Sequence, residues 1–154
     1  MFDGDISGVD FDENGLAYVV HNGEGQLFVL EFAGTDAQIV SSYQLRYEDG
    51  EGIPDAEGVT VGADGVVYVA TERNNADNGV SRPSVLRFDL PAAGNDLVEL
   101  PASAEWNLTD STGVLGANSG LEAVEWLPNV FGGSYAVGVE GTGEVLFVTL
   151  TADG

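Results

Sequence analysis

Acidic side chains recur at one position in three similar segments of this sequence. Glu57 and Glu122 each stand directly before a small residue and a valine, and Ser7 stands at the corresponding place in the first segment. Carboxylate and hydroxyl oxygens are hard ligands, and calcium takes about six to eight of them. If the three segments converge, these side chains could hold a shared Ca²⁺ together with main-chain carbonyls and water. Alternatively, the two glutamates only accept hydrogen bonds from backbone amides at strand ends.

A second layer of candidate groups follows the next apolar run of each segment. Glu72 and Glu140 emerge there, and His21 or Asn22 occupies this place in the first segment. The two glutamates could be further metal ligands or general acid/base groups, although Glu140 beside a glycine-rich stretch is more typical of a hairpin residue. Because His21 is the only histidine and cysteine is absent, triads and zinc sites built on these residues are poorly supported.

Two acidic stretches lead into the first-layer positions. Residues 49–52 with Asp55 precede Glu57, and Asp3 with Asp5 precedes Ser7. Such clusters are usually solvated turns, and they would raise the local concentration of cations.

The segment Asp10-Phe11-Asp12-Glu13-Asn14-Gly15 resembles the opening of a helical calcium loop. The similarity fails at the twelfth position, where His21 replaces the bidentate glutamate. Strand-like runs flank the segment, so we predict a hairpin turn here instead.

Three copies of one strand pattern must position these groups. Each copy contains short β-branched and aromatic runs that alternate with period two and are separated by glycine-containing turns, which is typical of antiparallel hairpins. A valine and a tyrosine mark the shared register, nine residues apart in two copies and eleven in the third: Val9 and Tyr18, Val59 and Tyr68, Val124 and Tyr135.

The pattern predicts an all-β fold, a β-propeller of four-stranded antiparallel blades, and no convincing helix. The blades are expected at about residues 5–49, 55–100 and 119–154, with fourth strands at 39–45 and 97–100 and none in the third. Residues 74–82 and 101–119 are expected to be surface loops.

Residues 1–154 therefore read as a single, partial propeller domain of about three blades. Propellers close with about four to eight blades, and an open arc exposes strand edges. Either the chain is part of a longer polypeptide, or copies of it associate to complete a ring.

The charge balance is strongly acidic. The chain carries 26 acidic side chains, four arginines and no lysine, for a net charge of −22. Nucleic acid and anionic membrane surfaces would be repelled, and no apolar run predicts membrane insertion. The excess of carboxylates requires bound divalent cations, a saline medium or a basic partner.

Three phrases carry a family resemblance: Asp5-Ile6-Ser7-Gly8-Val9, Asp55-Ala56-Glu57-Gly58-Val59 with Tyr68-Val69-Ala70-Thr71-Glu72-Arg73-Asn74, and Ser119-Gly120-Leu121-Glu122-Ala123-Val124. They resemble the SdiA-regulated and phytase-like (esterase-like phytase) β-propellers. The resemblance implies a secreted or periplasmic protein with calcium in or near its central channel, and phosphoester hydrolysis in phytase-like members. The start of the sequence lacks the basic and apolar regions of a signal peptide.

Three functions follow as hypotheses. The first is a calcium-binding propeller module that binds a partner, a small molecule or a phosphorylated ligand. The second is a calcium-dependent phosphoester hydrolase in which a carboxylate such as Glu72 orients water. The third is a structural role in which the partial propeller assembles with further copies.

Overall fold

The computed structural model describes residues 4–63, 65–77, 79–92, 94 and 96–151. Strands dominate this part of the chain, with one turn of 3₁₀ helix at Asn75–Asp77 and one short helix. The elements are β1 (Ile6–Phe11), β2 (Ala17–His21), β3 (Gln26–Ala33), β4 (Asp36–Arg46), β5 (Pro54–Val61), β6 (Val67–Asn74), β7 (Ser81–Phe88), β8 (Leu97–Pro101), β9 (Ala104–Asn107), α1 (Thr109–Thr112), β10 (Leu121–Leu127), β11 (Ser134–Val139) and β12 (Glu144–Val148). No helix among these residues has the length and apolar character needed to cross a membrane.

The strands form three separate sheets, and none of them closes on itself. The first sheet has the order β1-β2-β3-β4-β8, the second β5-β6-β7-β9 and the third β10-β11-β12. Neighbouring strands are antiparallel except β4 and β8, which run parallel. The all-β prediction is confirmed.

Local hydrogen bonds explain the first hairpin turn. Asp12 Oδ1 accepts the backbone N–H groups of Asn14 and Leu16, each at 2.9 Å. Gly15 follows with φ of 83°, a value that favours glycine. The segment thus joins β1 to β2 as a turn, as predicted, and not as a helical calcium loop.

The first strands of the three sheets lie side by side, separated by small residues. A Cβ added at Gly8 would stand 2.7 Å from the carbonyl oxygen of Glu57, and one at Gly58 would stand 2.7 Å from Ala123 Cα. The small residue in each copy therefore allows β1, β5 and β10 to approach closely. A hydrogen-bonded chain also joins them, since Thr60 Oγ1 donates to Asp10 Oδ2 at 3.1 Å and accepts Trp126 N–H at 3.1 Å.

Two apolar clusters fill the spaces between adjacent sheets. Between the first and second sheets, the buried residues include Val20, Leu27, Val29, Val59, Val69, Leu86 and Phe88. Between the second and third sheets they include Tyr68, Ala70, Val85, Val124, Tyr135 and Val137. The sheets thus pack face to face in chain order.

The fourth strand of the second sheet differs from its prediction. Leu97–Pro101 does form a strand, but it adds in parallel to β4 of the first sheet. The place beside β7 is taken by Ala104–Asn107, which lies in the segment predicted as a surface loop, together with α1. Both strands are short and neither contains a fully buried residue, so alternation in the sequence could not assign either of them to a sheet.

The register of the third sheet is also shifted from its prediction. Tyr18 pairs with Asp10 and Tyr68 with Thr60, but the corresponding partner in the third sheet, Glu125, pairs with Ala136. Tyr135 is therefore one position out of register. Because a shift of one residue turns a side chain to the opposite face of a sheet, Tyr135 packs back onto Tyr68, with ring centroids 4.6 Å apart.

Candidate metal centre

The candidate ligands lie where the first and second strands of each sheet meet at one end. Ile6 pairs there with His21, Ala56 with Thr71, and Leu121 with Val139. The next residue along each second strand completes an equivalent set: Asn22, Glu72 and Glu140. In the first sheet Asn22, rather than His21, is thus the counterpart of the two glutamates.

Two acidic groups form around one shared side chain. One carboxylate oxygen from each of Asp55, Glu57 and Glu72 lies within 4.8 Å of the others, and the same holds for Glu72, Glu122 and Glu140. Glu72 belongs to both groups. The structure therefore brings together four of the sequence-predicted ligands, from the second and third sheets.

Glu72 is buried, with only 2% of its surface exposed. Its Oε1 accepts the Gly120 N–H at 2.9 Å, and its carboxyl group also hydrogen-bonds the carboxyl group of Glu122. Burial, with added repulsion from Glu122 and Glu57, raises the pKa of Glu72 to about 7. The pKa of Glu122 is raised as well, by burial first and then by the charge of Glu57. In the absence of a cation, the pair therefore retains a proton well above the usual range of a carboxyl group.

An amide framework orients the acids of the other group. Asn22 Nδ2 donates to Glu57 Oε1 at 2.9 Å. Asn75 Nδ2 lies 2.8 Å from the Asn22 carbonyl oxygen and 3.1 Å from Asp55 Oδ1, and it donates to both. These bonds link the ends of the first two sheets at the Asp55 and Glu57 carboxylates.

Asp55 is buried, contrary to its prediction as part of a solvated approach. It is 2% exposed, within β5, and burial raises its pKa although Asn75 and Arg73 oppose the shift. Arg73 Nε lies 2.9 Å from Asp55 Oδ2, but that oxygen accepts no hydrogen bond. The Arg73 N–H instead donates to Asn75 Oδ1 at 3.3 Å. Asp55 thus keeps one buried oxygen that is compensated by charge alone.

The remaining predicted residues take different positions. Ser7 is exposed on β1, in register with Glu57 and Glu122 but on the sheet that has no neighbour on its open side. His21 is buried, and its Nδ1 accepts the N–H of Glu24 at 3.3 Å, which stabilises the turn after β2. Asp3, predicted beside Asp5, lies outside the described residues.

Sequence reasoning missed Asn75 and Asn118 as parts of this region. Asn75 bridges two sheets, and the Oδ1 of Asn118 accepts a hydrogen bond from Arg73 Nη1. The phrase that ends at Asn74 pointed to this stretch, but nothing in its pattern showed that the next asparagine turns inwards.

The donor set suits a hard cation. Five carboxylates, from three strands and one loop, lie in this region, and one of them, Asp55, is paired with Arg73. Oxygen ligands of this kind favour calcium over zinc, because zinc prefers nitrogen and sulfur ligands. A divalent ion would also replace the proton that the Glu72 and Glu122 carboxyl groups share. If a metal binds, Asp55, Glu57, Glu72, Glu122 and Glu140 are the residues that would hold it.

All four arginines of the chain are engaged in ion pairs within the protein: Arg46 with Glu99, Arg73 with Asp55, Arg82 with Glu105, and Arg87 with Asp89. The Arg82 pair is bidentate, at 2.8 and 2.6 Å. Compensation of the remaining carboxylates in the cluster must therefore come from protons or from added cations.

Comparison with known proteins supports the resemblance seen in the sequence. No curated protein matches the chain. A family model described as phytase-like, "esterase-like activity of phytase", matches residues 3–142, a span that includes the strands and acids of both clusters. The chain therefore belongs to the phytase-like family.

Proposed function

We propose that this chain is part of a calcium-binding β-propeller that binds a ligand or partner at the ends of its inner strands. The observation that carries the proposal is the sharing of Glu72 between two acidic groups. A buried carboxyl group surrounded by other acids is stabilised either by a proton or by a cation.

The propeller assignment is supported by the packing of the sheets. Each sheet begins with its innermost strand, and Gly8 and Gly58 let successive inner strands approach one another. Repeated antiparallel sheets that pack face to face around such strands are typical of propeller blades. In this arrangement equivalent side chains from different blades meet near a central channel.

Calcium is the cation best suited to this arrangement. It accepts many oxygen ligands in irregular geometry, whereas magnesium requires near-octahedral geometry and keeps much of its water. The clusters offer carboxylates on both sides of Glu72, and Asp55 has a buried oxygen without a hydrogen bond. Main-chain carbonyls and water would complete the shell.

A phosphorylated small molecule is the ligand class that we favour. Because the arginines are already paired with acids, bound calcium would supply the positive charge that attracts phosphate. The family resemblance further leads us to propose an extracellular or periplasmic location, where the chain would meet free calcium.

Calorimetric titration with CaCl₂ tests the calcium site. We expect the wild-type protein to bind, and Glu72→Gln to weaken binding by at least about tenfold because both groups lose a charged ligand. Glu31→Gln is the matched control, since Glu31 is exposed on β3 and should leave the affinity unchanged. Absence of binding to the wild-type protein, or equal affinity in the Glu72 variant, would contradict the proposal.

A second candidate, calcium-dependent phosphoester hydrolysis, is favoured by the description of the family. Calcium would neutralise the substrate phosphate when bound. With its proton displaced by calcium, Glu72 would orient the attacking water. Release of phosphate from phytate, present in the wild-type protein and lost in Glu72→Gln, would support this activity. Calcium binding without phosphate release would support the binding function and contradict the hydrolase activity.

A further inference from the structure

Arg73 differs from the other arginines of the chain in how its charge is compensated. The other three each donate a hydrogen bond to the carboxylate with which they pair: Arg46, Arg82 and Arg87. Arg73 Nε lies 2.9 Å from Asp55 Oδ2, but within the described part of the chain the Arg73 side chain donates only to the amide oxygens of Asn75 and Asn118. Hydrogen bonds to a neutral amide are weaker than those to a carboxylate. Arg73 is therefore the arginine whose charge a ligand can recruit at least cost.

The guanidinium group of Arg73 is accessible at the acidic end of the sheets. The side chain of Arg73 is 22% exposed, whereas that of Asp55 is 2% exposed. Arg73 follows Glu72 in β6, and its partner Asn118 lies two residues before the Gly120 N–H that Glu72 accepts. Nη2 of Arg73 donates no hydrogen bond to any described residue. Donors beside the acidic groups are thus open to an anionic ligand.

A cation on Asp55 would weaken the hold on Arg73. Asp55 Oδ2 is buried, accepts no hydrogen bond from the described residues, and is the oxygen that faces Arg73. If calcium took this oxygen as a ligand, the metal and the guanidinium group would share one carboxylate, and their like charges would repel. The arginine side chain is long and can then turn towards solvent, since two amides alone retain it.

We propose that calcium bound at Asp55 releases Arg73, and that the released guanidinium group binds the phosphate group of the ligand beside the metal. This inference rests on the proposed function, in which calcium and a phosphorylated molecule occupy the site. The planar fork of a guanidinium group matches two phosphate oxygens, and an anion between two cations offsets their repulsion. Calcium and the ligand should therefore each raise the affinity of the protein for the other.

Calorimetry with phenylphosphonate tests the role of Arg73. This probe carries the anionic group of a phosphate ester but has no ester bond to hydrolyse. We expect it to bind the wild-type protein in CaCl₂ and not in EDTA, and Arg73→Gln to weaken binding by at least about tenfold. Arg87→Gln is the matched control, because Arg87 pairs with Asp89 at the opposite end of β7 and should leave the affinity unchanged.

Calcium affinity without phosphonate separates this role from a structural one. Arg73→Gln removes a positive charge that competes with the metal for Asp55, so this variant should bind calcium severalfold more tightly than the wild-type protein. A residue that only supports the fold would weaken the binding of both calcium and phosphonate when substituted. Weaker calcium binding in Arg73→Gln would therefore contradict the proposal. Circular dichroism verifies that the strands of the variant remain folded.

Nuclear magnetic resonance of the wild-type protein follows the release directly. The chain has four arginines and no lysine, so few side-chain Nε–H signals are expected, and Arg73→Lys identifies that of Arg73. Calcium should shift this signal, phenylphosphonate should shift it again, and the signals of the other arginines should stay in place. If calcium binds but this signal does not move, or if phenylphosphonate binds equally to the wild-type protein and Arg73→Gln, the role of Arg73 is wrong. If calcium does not bind at all, the proposed function itself is wrong.

Discussion

Asn22 donates a hydrogen bond to Glu57 across the first two sheets, at 2.9 Å between Nδ2 and Oε1. One sheet further on, Glu72 makes the equivalent bond to Glu122. An amide can donate at any pH, but a carboxyl group donates only while it is protonated. The same contact is therefore permanent in one place and dependent on pH or on a cation in the other.

Without calcium, stability should decrease as the pH rises through the range in which Glu72 titrates. The folded-state pKa of about 7 lies above the ordinary value of 4.5, so the folded protein binds this proton more tightly than the unfolded chain. This stabilising contribution is fully present below about pH 4.5 and is lost as the pH rises through about 7, a loss on the order of 3 kcal/mol. Urea denaturation in EDTA at several pH values measures it.

The control for this pH dependence is Glu72→Gln, which supplies an amide donor to Glu122 at every pH. We expect a smaller fall in the free energy of unfolding in this variant. Some fall should remain, since burial also raises the pKa of Asp55 and of Glu122. Identical pH profiles in both proteins would show that Glu72 is not responsible.

Calcium should raise the melting temperature, and more so at pH 8 than at pH 5. Binding to the folded state alone stabilises it by about 2.7 kcal/mol when free calcium is one hundred times the dissociation constant. At lower pH the proton on Glu72 competes with the metal. Scanning calorimetry with CaCl₂ or EDTA measures the shift, and NaCl of equal ionic strength separates binding from screening. An equal shift with NaCl would argue against a specific site.

Substitution of Gly58 should disturb the contact between the inner strands. In Gly58→Ala the new methyl group would meet backbone atoms of Ala123 and Val124 at 2.7 Å. Backbone cannot move aside without shifting the third sheet, so we expect a loss of about 2–4 kcal/mol in the free energy of unfolding. Gly79→Ala, where no atom lies within 4 Å, should change it little. Equal urea midpoints for the two variants would contradict close packing at Gly58.

The hydrogen-bonded chain through Thr60 should also contribute to stability. Thr60→Val removes the donor to Asp10 and the acceptor of the Trp126 N–H, which link three sheets. We expect a cost of about 1–3 kcal/mol, because the partly buried N–H loses its partner. Thr142→Val, at an exposed turn, is the matched control. If the denaturation curves of Thr60→Val and Thr142→Val coincide, the hydrogen bonds of Thr60 do not contribute to stability.

The repeated pattern predicted much of the fold because strands buried on their faces follow a strict alternation. Val9, Val59 and Val124 occupy equivalent places as expected, and the small residues before two of them lie at close contacts between strands. The pattern did not fix the third hairpin, since its longer turn shifts Tyr135 to the opposite face. Nor did it assign β8, an exposed strand whose partner is decided by long-range pairing.

Of the candidate site, the sequence predicted the acids but not their surroundings. Glu57, Glu72, Glu122 and Glu140 share the ends of the strands as the repeat implied. Burial of Asp55 and the bridge made by Asn75 depend on how two sheets meet. Contacts between residues that are far apart in the sequence produce no periodic pattern, so a single sequence does not predict them.

The path of residues 97–107 affects the order in which the three sheets unfold. β8 extends the first sheet, and after two residues β9 completes the second, while the Ala102 and Ser103 N–H groups bond to Arg46 and Arg87 carbonyl oxygens at 3.0 and 2.8 Å. This segment ties the outer strands of the first two sheets together, and among the described residues no strand pair of this kind joins the third sheet to them. Those two sheets should therefore unfold as one cooperative unit, with slower amide exchange than the third sheet, which can detach first.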